Sequence, residues 1–192
     1  MEIVPLIYMK NRKIYLEKDG ETISSLGFSN LVEDNSKIYI LDLDGIEKDK
    51  PNLCTYQRFS SFYDLWVDFG PRDLGDVVDV TMAGVTEITL RKNLCPQLDI
   101  AKIKEITENK IYHNIDFKED STSEEADGLV NFNSREETES NYKYSSYLKK
   151  LGMNNRIYSY ESKLKNQTYW QYFGAEGLLV DLGEIKEFKN AV

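Results

Sequence analysis

The apolar positions of this chain fall into short runs, separated by segments with helical spacing. Residues 3–9 open as a strand, polar residues 10–13 form a turn, and residues 14–16 return as a small hairpin arm. A weak helix follows over 24–34. The run Lys37-Ile-Tyr-Ile-Leu-Asp-Leu-Asp-Gly45 is the clearest element. It reads as a buried parallel strand that carries two acids, Asp42 and Asp44, to one rim of a sheet. In an extended strand, residues two apart face the same side, which would aim both acids at that rim. A helix over 52–62 buries Leu53, Tyr56 and Phe59. Residues 64–70 form the next strand and 71–83 the next helix, with Pro71 at its start and apolar spacing at Leu74, Val77, Val78 and Met82. Strand 87–92, helix 100–106 and strand 111–117 continue the alternation.

The second half repeats it. Residues 118–126 are acidic and serine-rich, too short and polar for a covering helix. Strand 128–133 precedes a helix over 134–151, opened by the capping-box pair Ser134 and Glu137 and ended by Gly152. Strand 156–160, a short aromatic helix over 167–173 and strand 177–181 complete the set. Eight strands alternating with helical segments predict an α/β fold with a parallel sheet, and eight units favour a closed (β/α)8 TIM barrel over an open doubly wound sheet. The chain has 192 residues. About 250 is typical for this barrel, so the expected form is a compact single domain with shortened or missing helices.

Composition narrows the classes. The formal net charge is −9, which argues against nucleic acid and an anionic membrane surface as partners. No apolar run reaches the ~20 residues that span a bilayer, and the N-terminus lacks a secretory pattern. Cys54 and Cys95 show no metal spacing and read as reduced thiols of a cytoplasmic protein. His113 is the sole histidine, so a Ser-His-Asp triad or multi-histidine metal site is not expected. Neither a metal nor a cofactor is expected.

Several segments resemble the histidine-biosynthesis barrels, the phosphoribosylformimino-carboxamide-ribotide isomerase (HisA) and the cyclase subunit of imidazole glycerol phosphate synthase (HisF). Tyr39-Ile-Leu-Asp-Leu-Asp-Gly-Ile46 is similar to that family's second-strand motif. Residues 3–11 resemble its opening strand, Trp66-Val-Asp-Phe-Gly-Pro-Arg72 its third strand and turn, and Asn114-Ile-Asp-Phe-Lys118 its fifth strand. The likeness is good over residues 1–96, fair to 118 and thin beyond. The family's halves resemble one another, and here Ile7-Tyr-Met-Lys10 parallels Ile115-Asp-Phe-Lys118, while Ala83-Gly-Val-Thr-Glu-Ile-Thr-Leu90 parallels Phe173-Gly-Ala-Glu-Gly-Leu-Leu-Val180. These pairs suggest half-barrels of about 1–98 and 99–192.

The resemblance implies a phosphorylated small-molecule ligand and two acids, one ending the first strand and one the fifth. Asp116 fills the fifth-strand position. Tyr8 stands at the first, and a phenol is a weaker general base than a carboxylate at neutral pH. Of the implied phosphate-binding glycines, Gly70 and Gly183 remain. Lys10, Arg72, Arg91 and Lys92 are candidates to hold the anion by charge instead. Asp44 would support Asp116, and Asp42, Asp68 and Asp181 would join the polar cluster at the mouth. The alternative for these acids is helix and loop capping, and for the arginines surface ion pairs. His113 points to the helix side as a structural residue. Two functions stay open: a divergent isomerase or lyase acting on a phosphorylated sugar or ribotide, and a non-catalytic relative serving as a binding, regulatory or subunit-interaction protein. In the second, oligomerisation or a protein partner would hide exposed sheet.

Overall fold

A computed structural model describes residues 1–17, 20–115 and 125–186. Position 116, the acidic stretch up to 124 and the last six residues lie outside the described residues, and with them the expected site residue Asp116 and most of the polar segment at 118–126. Eight parallel strands close into a barrel: β1 (Glu2–Lys10), β4 (Lys37–Asp42), β5 (Asp64–Asp68), β6 (Glu87–Leu90), β7 (Lys110–Ile115), β8 (Gly128–Asn131), β9 (Ile157–Tyr160) and β10 (Ala175–Asp181). Each pairs with the next, and β1 pairs with β10 from Glu2 opposite Gly177 to Leu6 opposite Asp181. Two further strands, β2 (Lys13–Tyr15) and β3 (Thr22–Ile23), extend β1 as an antiparallel arm. This is the α/β barrel that the alternation predicts.

The strands are buried on both faces, which is why they read as apolar runs rather than alternating ones. Their side chains nevertheless divide by parity. Along β4, Tyr39 and Leu41 face the barrel interior, while Ile38 and Ile40 face the helices. The interior is unusually aromatic. Trp66 sits 4.0 Å from the Tyr112 ring centre and 4.8 Å from that of Tyr158, with Tyr39 at 5.0 Å. The indole N–H of Trp66 donates to Thr89 Oγ1 at 2.9 Å, as does the Tyr39 hydroxyl at 3.1 Å, so these two large rings fill the barrel with their polar atoms satisfied. At the N-terminal end, Lys37 and Lys110 both lie 3.0 Å from Glu87, and Tyr158 donates to Glu2 at 2.7 Å. This end is an ion-paired floor.

Eight α-helices flank the strands among the described residues: α1 (Ser25–Ser29), α2 (Leu43–Lys48), α3 (Leu53–Phe59), α4 (Leu74–Met82), α5 (Ile100–Ile106), α6 (Arg135–Ser140), α7 (Tyr142–Gly152) and α8 (Gln167–Tyr172). Two outer clusters join them to the sheet. Tyr56, Phe59, Val77, Val80, Ile100 and Ile103 pack on β1 and β4–β7, while Leu148, Leu151, Trp170 and Phe173 pack on β7–β10. No described helix is long and apolar enough to cross a membrane.

Three expectations need correction. The expected helix over 134–151 divides at Asn141, whose side chain accepts from the Tyr144 N–H and starts α7 afresh. Asparagine competes with helical hydrogen bonding by capping locally. The second strand ends at Asp42 rather than Asp44, because Asp42 accepts from the backbone N–H groups of Asp44 and Gly45 and begins α2. The two acids therefore do not share a strand face. Gly152, expected as the C-cap, is instead the last residue of α7, with Met153 as the cap, and its backbone is not left-handed. A Cβ there would lie 2.0 Å from the Phe173 carbonyl oxygen, so glycine is required by the close approach of two chain segments. Gly152→Ala is expected to cost about 1–3 kcal/mol, read as a fall in Tm of about 2–4 °C per kcal/mol. An unchanged thermal unfolding curve would contradict this close approach.

Candidate active site at the barrel mouth

The C-terminal ends of the strands carry most of the polar interior. Asp181, the last residue of β10, is 6% exposed and lies between two phenols. Tyr8 of β1 donates to its Oδ1 at 2.9 Å, and Tyr160 of β9 donates to its Oδ2 at 2.8 Å. The geometry follows from closure, since β10 has β1 and β9 as its immediate neighbours. Burial pushes the Asp181 carboxyl above the usual carboxylate range. The two hydroxyls pull the other way, and Glu17 and Glu184 push it up further. Burial, with Asp181 adding to it, also raises the Tyr8 and Tyr160 hydroxyls, so both remain protonated donors. Asp181 and Tyr160 form part of the wall of a cavity of about 620 Å³, together with Glu17, Glu184, Ser162, Lys163, Leu164 and Lys165.

A second polar group lies across the mouth. Asp68, at the end of β5, is fully buried. Arg91 grips it with Nε at 2.9 Å from Oδ1 and a terminal nitrogen at 2.7 Å from Oδ2, and Tyr39 donates to Oδ2 at 3.2 Å. The Arg91 guanidinium also lies 5.8 Å from the centre of the Phe132 ring, which stacks on Tyr160 at 5.9 Å. The two acid groups are thus linked through a layer of aromatic rings. Asn114 has a buried side-chain nitrogen without a partner among the described residues. Its parity along β7 is that of Tyr112, which faces the interior.

The other expected site residues do different work. Asp44, in the first turn of α2, faces the β1–β2 turn. It accepts from the Arg12 N–H at 3.0 Å, from Lys48 at 2.9 Å and from Asn52 at 3.3 Å. Burial opposes its charge, but these donors outweigh burial and hold the carboxyl well below the usual range. Asp42 faces the helix layer and accepts from the Tyr56 hydroxyl and from both nitrogens of Asn52. Burial raises its pKa in spite of them. Both acids hold loops in place, as the capping alternative anticipates.

Arg72 donates to the carbonyls of Gly70 at 2.5 Å and Ile46 at 2.6 Å, tying two loops together. Gly70 has φ of 65°, which fits its turn, and a Cβ there would meet Leu94 and Arg72. Lys92 and Arg91 line another cavity, of about 200 Å³, with His113 and Cys95. Burial first, then Lys92, lowers the His113 pKa, which keeps the ring neutral. Lys10 ends β1 opposite Lys13 and is partly exposed.

Of the expected anion holders, Arg91 and Lys92 share one cavity wall. Arg72 and Arg91 are committed to internal bonds, and Gly70, Lys10 and Lys92 are not gathered around one cavity. Asp181, a supporting member of the expected cluster, instead shares a cavity wall with Tyr160, Lys163 and Lys165. A signal was present, because Asp181 ends its apolar run as Asp68 ends its own. Its pairing with Tyr8 depends on ring closure between the first and last strands. The sequence matches no protein-family model and no curated protein.

Proposed function

We propose that this protein is a divergent HisA/HisF-like barrel that binds a phosphorylated sugar or ribotide-like molecule at its C-terminal mouth and catalyses an isomerase- or lyase-type proton transfer. The observation that carries the reading is Asp181 held between Tyr8 and Tyr160 beside an open cavity. A carboxylate whose pKa is raised by burial is better matched to taking up and returning a proton near neutral pH. Asp181 would accept a proton from a carbon next to a carbonyl or imine group, and return it to a neighbouring atom. Tyr8, standing where the related barrels place an acid, would act as hydroxyl donor to that carboxylate. Asp116 is the second acid of the scheme. Lys163 and Lys165, on the cavity wall, would attract the phosphate.

A second reading, the non-catalytic relative, draws on a different observation. Asp68, Arg91, Arg72 and Asp44 all satisfy one another or the backbone, which suits a rim retained for structure. Calorimetric titration with ribose 5-phosphate and ribotides separates the two. Saturable heat with the native protein, weakened about tenfold in Lys163→Gln/Lys165→Gln, is expected for the first reading. Turnover of the bound compound should disappear in Asp181→Asn. No heat with any phosphorylated sugar would overturn the catalytic reading.

A further inference from the structure

A basic groove runs along the outer side of the β1–β2 arm, away from the cavity at Asp181. It has two lobes that share Arg12 and Thr55. The first, of about 690 Å³, lies between the β1–β2 turn and the α2–α3 connection, and its walls carry Arg12, Lys48 and Lys50. The second, of about 460 Å³, lies between β3 and α3, and its walls carry Arg12, Lys13, Arg58 and the Thr22 hydroxyl. On the described walls of both lobes Asp44 is the single acid, and it already accepts from Lys48 at 2.9 Å. The chain as a whole carries a formal charge of −9, so this concentration of cations runs against the composition of the molecule.

We propose that this groove binds a small molecule carrying a diphosphate group. Each lobe has its own cations, and Arg12 reaches both. Two adjacent anionic groups on one ligand fit that arrangement better than a single anion does. The turn that places Arg12 is built for display. Asn11 and Arg12 adopt positive φ of 51° and 61°, and the Arg12 N–H is anchored by Asp44 at 3.0 Å, which leaves the exposed guanidinium available to the groove. Lys13 and Lys50 are exposed as well. Lobes of this size match small-molecule sites rather than the extended surface of a macromolecule. Exposed cations within a concave wall also concentrate a multiply charged anion more than they would on a flat face. This inference does not rest on the reading of Asp181.

Pyrophosphate is the probe, titrated by calorimetry at about 0.15 M salt so that diffuse attraction is screened. Exposed Cys54 on the wall of the first lobe serves as a local reporter, its alkylation followed by peptide mass spectrometry. Pyrophosphate is expected to bind saturably, to slow alkylation of Cys54, and to bind more tightly than orthophosphate. Arg12→Gln/Lys50→Gln should weaken it at least tenfold. That variant keeps the Arg12 backbone bond to Asp44, and its circular dichroism should match the native protein. Lys163→Gln/Lys165→Gln should leave pyrophosphate binding unchanged, which separates this site from the cavity at Asp181. Absence of binding, equal binding by Arg12→Gln/Lys50→Gln, or orthophosphate binding as tightly as pyrophosphate would each overturn the proposal.

Discussion

Replacing Arg91 with methionine is expected to destabilise the protein by about 3 kcal/mol, lowering Tm by roughly 6–12 °C. The reason lies in Asp68, which is fully buried and receives a two-pronged guanidinium grip. Methionine has about the right volume for the arginine stem but offers no donor, leaving a buried carboxylate with the Tyr39 hydroxyl as its described partner. An unpaired buried charge costs more than the net value of the pair that formed it. Arg91 is 21% exposed, and water entering beside it places the effect at the lower end of the range for buried pairs. Asp68→Asn/Arg91→Met, which removes the charge as well, should recover a large part of the loss. Urea unfolding of the two single variants and the double variant measures the coupling. A loss below about 1 kcal/mol in Arg91→Met would mean that the pair is a solvated surface contact.

The second large effect concerns Asp181 and depends on pH. Burial raises its pKa in the folded protein above the ordinary carboxylate value of 3.8. Between these two values the native state holds a proton that the unfolded chain has released. Stability is therefore fully present below the unfolded value and is lost as pH rises through the folded one. Asp181→Asn removes the titrating group while keeping the shape. The variant should be more stable than the native protein at neutral pH, by about 0.5–2 kcal/mol. The difference should shrink as pH falls below the ordinary carboxylate range. Asp42 is also raised by burial and adds its own pH dependence, so the comparison between native and variant protein is what isolates Asp181. Thermal unfolding from pH 4 to pH 8 provides the measurement. If Asp181→Asn is the less stable protein at pH 8, the two phenol bonds outweigh the burial of the charge, and the carboxylate is an anchor rather than a proton carrier. A stabilised variant without turnover would instead fit a site that retains an unfavourable charge for chemistry.

The sequence by itself determined the barrel. Strands buried on both faces must be apolar throughout, and amphipathic segments between them must cover the sheet, so the order of the eight barrel strands was legible from periodicity, whereas the short elements α2 and β3 were not. Local signals such as the Ser134–Glu137 capping box were equally legible, because both partners lie within one turn of chain. Asn141 also acts locally, but its neighbours offered equal helical spacing, and the break was not legible. The distribution of tasks among the polar residues was decided by tertiary structure. Asp42, Asp44, Asp68 and Asp181 look alike in sequence, each acid ending or following an apolar run. Asp42 turns to the helix layer and Asp44 to a loop, whereas Asp68 meets an arginine and Asp181 two phenols. These partners lie up to 173 residues away along the chain. The pairing of Tyr8 with Asp181 exists because the first strand hydrogen-bonds the last, and that closure brings a carboxylate to the position where the first strand itself carries a phenol.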